Sequence, residues 1–160
     1  MAVTTERVDT GSRAVGRSAL PTWVWTERGE TIPLPLERLA ALIRDVPAWV
    51  LWDPSVVRVE HDSGPLAEAG MVCQLVIGTR AAGVSLSQMT MAVSERAIVF
   101  AGGQNGRWRF IDVFELSPQR ETTEVHRRLE IELQGWMRLF RPLVAVVARR
   151  YLRRALDALT

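Results

Sequence analysis

The chain has no lysine; all twenty of its basic residues are arginine. Schiff-base and lysine-nucleophile chemistry are thereby excluded. A single cysteine, Cys73, excludes an internal disulfide and any multi-cysteine metal site. His61 and His126 are the only histidines, too few for a structural zinc site. The net charge of +2 is too small to argue for a nucleic-acid partner. No apolar run is long enough to span a bilayer. The N-terminus lacks a basic-then-apolar leader, so a cytoplasmic protein is expected. There is no Ser-His-Asp spacing, Gly-rich phosphate loop or nucleophile elbow. No cofactor is expected.

What is present is an ordinary globular composition, 48% apolar over 160 residues, which fits one domain with a real core. Residues 1–20 carry no periodic apolar face and read as a flexible tail. Residues 21–160 read as a single domain. Its longest helical pattern is the last, Gly135 to Leu159. Trp136, Phe140, Leu143, Val147 and Tyr151 recur there at three- and four-residue spacing, and Leu139, Val146, Leu152, Leu156 and Leu159 widen the stripe. Pro142 belongs near a first turn or marks a kink. So wide a stripe needs a large partner surface.

The rest of the chain supplies candidates for that surface. Thr22 to Thr31 reads as a strand, Pro35 to Asp45 and Pro47 to Trp52 as two short helices. Six strand patterns follow, joined mainly by hairpin-type turns: Ser55–His61, Met71–Thr79, Val84–Val93, Ala97–Gly102, Arg107–Leu116 and Thr123–Leu133. Such a sheet is mostly antiparallel and curls through its twist. A long amphipathic helix across its concave face gives a two-layer α+β domain.

Alternation names the inward side chains. Trp108, Phe110, Asp112, Phe114 and Leu116 share one face, and Val125, Arg127, Leu129, Ile131 and Leu133 share another. Pairing Phe114 with Val125 puts Asp112 opposite Arg127. Neither charge is tolerable alone on an apolar face, so a pair is expected. It serves either as a structural ion pair or as a cavity-wall group that orients a ligand, with Asp112 as an acid/base. On Val84–Val93, Met89 and Met91 are preferred for the core over Gln88 and Thr90, which would otherwise offer hydrogen bonds to a cavity. Tyr151, the only tyrosine, falls on the inward stripe of the last helix. It serves either as a hydrogen-bond or proton donor or as a packed ring with its hydroxyl at the rim. Trp49 and Trp52 either stack on a flat ligand or plug the core.

The order of elements resembles the START-like helix-grip (SRPBCC) superfamily, in particular its polyketide cyclase/dehydrase and lipid-transport group. Four stretches carry the resemblance: Leu34 to Asp45 after the first strand, Trp49 to Val59 with its Trp-Asp-Pro turn, the Phe114 to Val125 hairpin, and Pro142 to Leu159 with its Arg pairs and A-L-x-x-L ending. The resemblance implies a helix-grip fold: a curled, mostly antiparallel seven-stranded sheet wrapped around a long C-terminal helix, with two short helices after strand one. It implies a deep apolar cavity between sheet and helix, with Trp49 and Trp52 near the mouth. The expected function is an enzyme that binds an apolar, polyketide-like substrate and promotes cyclisation or dehydration. The alternatives are a non-catalytic carrier or sensor of a hydrophobic ligand, and an interaction module with a filled core. Asp112, Arg127 and Tyr151 are the catalytic candidates. Trp49, Trp52, Gln88, Trp108, Phe110, Phe114, Phe140, Leu143 and Val147 are the ligand-binding ones. The expected partner is a hydrophobic small molecule, with a homodimer left open and an acyl carrier protein if the substrate is tethered.

Overall fold

A computed structural model describes residues 22–61, 68–78, 83–104 and 106–160. The tail expected at residues 1–20, and with it the domain boundary, lies outside them. Strand β1 (Trp23–Ile32) is followed by helix α1 (Leu36–Arg44), a 3-10 turn (Val46–Ala48) and the one-turn helix α2 (Trp49–Trp52). Leu39 and Ile43, four residues apart, are the buried ridge of α1. The helix stops before Pro47, which has no N–H to offer it. The remaining strands are β2 (Val56–His61), β3 (Val72–Gly78), β4 (Gly83–Val93), β5 (Ala97–Gln104), β6 (Trp108–Gln119) and β7 (Thr122–Leu133). A 3-10 stretch (Gly135–Phe140) leads into α3 (Arg141–Asp157), with Pro142 in its first turn.

The strands form one seven-stranded antiparallel sheet in the order β1-β7-β6-β5-β4-β3-β2. Only β1 leaves sequence order, pairing with β7 from Trp23↔Glu132 to Ile32↔Thr123. Helix α3 lies against β1 and β7. The core runs from Leu39, Ile43 and Trp49 through Phe100, Phe114 and Leu116 to Leu152, Ala155 and Leu156. Trp49 anchors it. Its ring meets Phe100 edge-on at 5.0 Å between centroids, and its Nε1 donates to the Ile43 carbonyl at 2.8 Å.

Three expectations are corrected. The β6–β7 turn is two residues, Arg120-Glu121, closed by the Gln119↔Thr122 pair, shorter than the gap expected between strands ending at Leu116 and starting at Thr123. Arg120 takes the positive φ (55°) that a two-residue hairpin demands. The register therefore slips by two: Phe114 faces Arg127, Asp112 faces Leu129 and Leu116 faces Val125. Because side chains alternate with period two, the slip changes partners but not faces.

On β4, Gln88 and Thr90 are buried while Met89 and Met91 are exposed, the reverse of the side preferred for packing. A register shift between Thr90 and Ala92 then brings Val93 back against the core.

On the last helix, the buried face is Ala148, Leu152, Ala155 and Leu156. Trp136, Phe140, Leu143 and Val147 are exposed. The 3-10 stretch turns every three residues, so a 3.6-residue spacing carried through it does not hold one face. Two of these four are alanines, which a spacing of large apolar residues does not mark.

Candidate functional site

The sheet and α3 do not close on each other completely. They enclose an apolar cavity of about 350 Å³. Trp108, Phe110, Leu129 and Ile131 line it from β6 and β7, Leu75 and Ile77 from β3, and Val144, Val147, Ala148 and Tyr151 from α3. Among the described residues, its polar lining is Ser55, Gln88, Asp112 and Tyr151. A mostly apolar hollow with a few placed polar groups is the usual form of a small-molecule site.

Arg127 organises the polar end. It has no solvent exposure. Its Nε and Nη2 donate to the two carboxylate oxygens of Asp112, at 3.0 and 2.6 Å. Nη2 also donates to the Tyr151 hydroxyl. The guanidinium lies between two rings, 4.4 Å from the Phe114 centroid and 4.7 Å from that of Tyr151. Such stacking partly replaces the water lost on burial. The pair reaches across the sheet diagonally, which explains why it forms despite the two-residue slip.

The fourth member was passed over in the sequence. Asp53 is 1% exposed, and the Asp53-Pro54 dipeptide had signified only a turn. Its Oδ1 accepts from the Ser55 backbone N–H (3.0 Å) and hydroxyl (2.6 Å), an Asx-type turn. Its Oδ2 accepts from the Tyr151 hydroxyl at 3.0 Å and lies 3.8 Å from Arg127 Nη1. One phenol thus ties α3 to both the α2–β2 turn and the β6–β7 pair. The sequence signal available was an Asp between a buried Trp and a Pro-Ser turn, which fits many surface turns equally well.

The electrostatics follow from that packing. Burial pulls the Arg127 guanidinium down, but Asp112, then Tyr151 and Asp53, more than offset it, leaving it raised. Burial pushes the Tyr151 phenol well above its ordinary value. Arg127 opposes that rise, and Asp53 and Asp112 add to it. Arg127 therefore stays a cation and Tyr151 a neutral phenol.

Among the described residues, three buried side-chain nitrogens lack a hydrogen-bond partner: Trp52 Nε1, Gln88 Nε2 and Arg127 Nη1. Only Gln88 belongs to a residue lining the cavity without an ion-pair partner.

The structure thus gathers Trp49, Gln88, Trp108, Phe110, Asp112, Val147 and Tyr151 around one cavity. Arg127 and Phe114 sit behind that wall, Phe114 under the guanidinium. Trp52 packs against Trp49, 5.6 Å between centroids, outside the lining. Phe140, at the end of the 3-10 stretch, and Leu143, in the first turn of α3, are also outside it, 43% and 58% exposed. His126 is partly exposed near Glu27 and Glu115. No cluster suited to holding a metal occurs among the described residues.

A curled antiparallel sheet gripping a C-terminal helix over an apolar hollow defines the helix-grip class of ligand-binding domains. The chain belongs to the polyketide cyclase/dehydrase and lipid transport family, whose model matches residues 24–160. Its fold is similar to that of the Zhui aromatase/cyclase from Streptomyces sp. R1128, at 13% identity and a TM-score of 0.74 over 86% of this chain and 91% of that one. It is likewise similar to a START superfamily protein from Mycobacterium smegmatis, at 14% identity and a TM-score of 0.67 over 84% and 93%. The di-domain ARO/CYC StfQ from the steffimycin biosynthetic pathway matches at 15% identity and a TM-score of 0.62 over 86% of this chain and 46% of that one. No curated protein matches in sequence. No helix among the described residues is long and apolar enough to cross a membrane.

Proposed function

We propose that the protein binds an apolar, oxygen-bearing, polyketide-like molecule in the cavity and promotes its cyclisation or dehydration by holding it folded. The observation that carries this reading is the unpartnered Gln88 Nε2 on a mostly apolar wall. A buried donor without an acceptor is costly, and a ligand carbonyl oxygen would satisfy it. Trp108 and Phe110, tilted 34° at 5.8 Å, offer ring faces to a flat or folded carbon chain. Holding two reactive carbons of one flexible chain together supplies much of the barrier reduction in an intramolecular ring closure. Asp112 and Tyr151 would orient the polar end of the ligand and polarise it, with Arg127 holding both from behind the wall. A tethered substrate would bring an acyl carrier protein to the mouth.

One observation favours the second reading, a carrier or sensor. Both Asp112 oxygens accept from Arg127, and the Tyr151 proton is donated to Asp53, so the cluster's obvious acid/base capacity is engaged within the protein.

Native mass spectrometry after gentle purification, with fluorenone and fluorene as added probes, tests binding. Fluorenone is expected to bind more tightly than fluorene, because only it carries the carbonyl. Equal affinities, or no binding of either, would overturn the Gln88 assignment. Incubation with a linear poly-β-ketone thioester separates the readings: a cyclised isomer of equal mass, or its dehydrated product lighter by one water, marks the enzyme, and recovery of the linear chain marks the carrier.

A further inference from the structure

The exposed side of the last helix divides sharply along its length. The 3-10 stretch before it and its first turns carry six large apolar side chains in solvent: Trp136, Leu139, Phe140, Leu143, Val146 and Val147, from 43% to 71% exposed. Isolated exposed leucines are ordinary, but a contiguous patch with a Trp and a Phe marks an interaction surface. The last turns of the same helix expose Arg149, Arg150, Arg153 and Arg154. At 100° per residue, Arg150 and Arg154 fall in line with Leu143 and Val147. From Gly135 to Leu156 there is no acidic residue against six arginines. The patch also adjoins the cavity, because Met137, Val144 and Val147 line it.

We propose that this face docks the protein on a membrane surface bearing anionic lipids. The apolar first turns would sink into the headgroup–acyl boundary, and the arginines would meet lipid phosphates beside it. Apolar ligand would then pass between bilayer and cavity without crossing water. Charge argues against the other occupants. A second copy docking parallel through the same helix would bring the arginine clusters together, and one docking antiparallel would lay each cluster on the other copy's apolar turns, where the guanidinium charges have no partner. An acidic protein would match the arginines but would have to present a matching apolar face for six uncovered side chains. This interface is independent of how the cavity uses its ligand.

Sedimentation with vesicles of phosphatidylcholine, with and without phosphatidylglycerol, tests it. Binding is expected to the anionic vesicles and to fall with added salt. Arg150→Gln and Arg154→Gln are each expected to weaken it about fivefold. Leu139→Asp and Leu143→Asp are expected to abolish it, with unchanged circular dichroism because both leucines are exposed. The proposal is overturned by no binding to anionic vesicles, by equal binding to both compositions, or by leucine variants that bind like the parent. It is equally overturned if the patch captures an acidic acyl carrier protein or a second copy in place of vesicles. Fluorenone binding by the leucine variants stays intact under the proposal, so failure of the membrane contact and failure of the cavity reading are separate results.

Discussion

Arg127 makes a two-point ion pair with Asp112 although its partner across the hairpin is Phe114; the carboxylate sits opposite Leu129 instead. The pair is out of water on every side, with Arg127 0% and Asp112 2% exposed. Breaking such a pair leaves a buried charge uncompensated, so Asp112→Asn is expected to cost about 3 kcal/mol in urea denaturation. Arg127→Met is expected to cost more, because it strands both Asp112 and Asp53. The double variant should cost less than the sum, since it removes the cation and its closest anion together. A loss under about 1 kcal/mol for Asp112→Asn would show the pair to be as weak as a solvated one.

Gln88 is the position where stability and binding should move apart. Replacing its unpartnered amide with leucine removes a buried donor that the fold does not satisfy. Gln88→Leu is therefore expected to leave the melting temperature unchanged or raise it. The same change should weaken fluorenone about fivefold, the worth of one hydrogen bond of roughly 1 kcal/mol, and leave fluorene untouched. Calorimetric titration of both probes checks this. Equal weakening of both would mean that shape, not the hydrogen bond, is at stake.

Much of this architecture was legible in the sequence because it rests on periodicity. Seven strand patterns and the two short helical ones lie within a few residues of their observed ends, and the last helical pattern, expected from Gly135, runs as α-helix from Arg141. The Asp112–Arg127 pair was legible for a firmer reason: two charges on alternating apolar strands have nowhere to go but to each other. The register was not, because Arg120 accepts a left-handed backbone without any glycine to announce it. The β4 face was misjudged because hydrophobicity prefers Met89 to Gln88, and only a hollow core rewards a buried amide. Asp53 was invisible because its partners beyond the local Ser55 are Arg127 and Tyr151, the latter 98 residues away. The helix stripe held at Leu152, Leu156 and Leu159 and failed toward its start, where a 3-10 stretch broke its period.

Gly102 is held by close packing. A Cβ there would lie 2.2 Å from the Ser87 carbonyl oxygen and 2.8 Å from the Phe110 ring, which itself lines the cavity. Backbone on one side and a packed aromatic on the other leave no soft neighbour to move. Gly102→Ala is expected to destabilise by about 2 kcal/mol, within the range for overpacking. It should also displace Phe110 and weaken fluorene and fluorenone alike, in contrast to Gln88→Leu. A variant with the parent's melting temperature and probe affinities would show that β5 can give way there.

Tyr151 ties stability to alkaline pH. Burial, the largest effect, raises its phenol well above the ordinary value of 10; Arg127 opposes this, and Asp53 and Asp112 reinforce it. In the unfolded chain the phenol ionises near 10, whereas in the fold it keeps its proton to higher pH. Between those two points the folded state binds the extra proton, so stability must fall as pH rises. The contribution is fully present below pH 10 and is lost progressively above it. Arg127, also raised, remains charged over that interval and adds no competing step. Because Tyr151 is the only tyrosine, phenolate absorbance reports this one group. The absorbance is expected to appear together with unfolding rather than before it. Tyr151→Phe should lose about 1 kcal/mol at neutral pH, for the missing hydrogen bonds, and show a flatter alkaline limb. Phenolate formation near pH 10 in a protein that is still folded would refute the buried, doubly bonded hydroxyl.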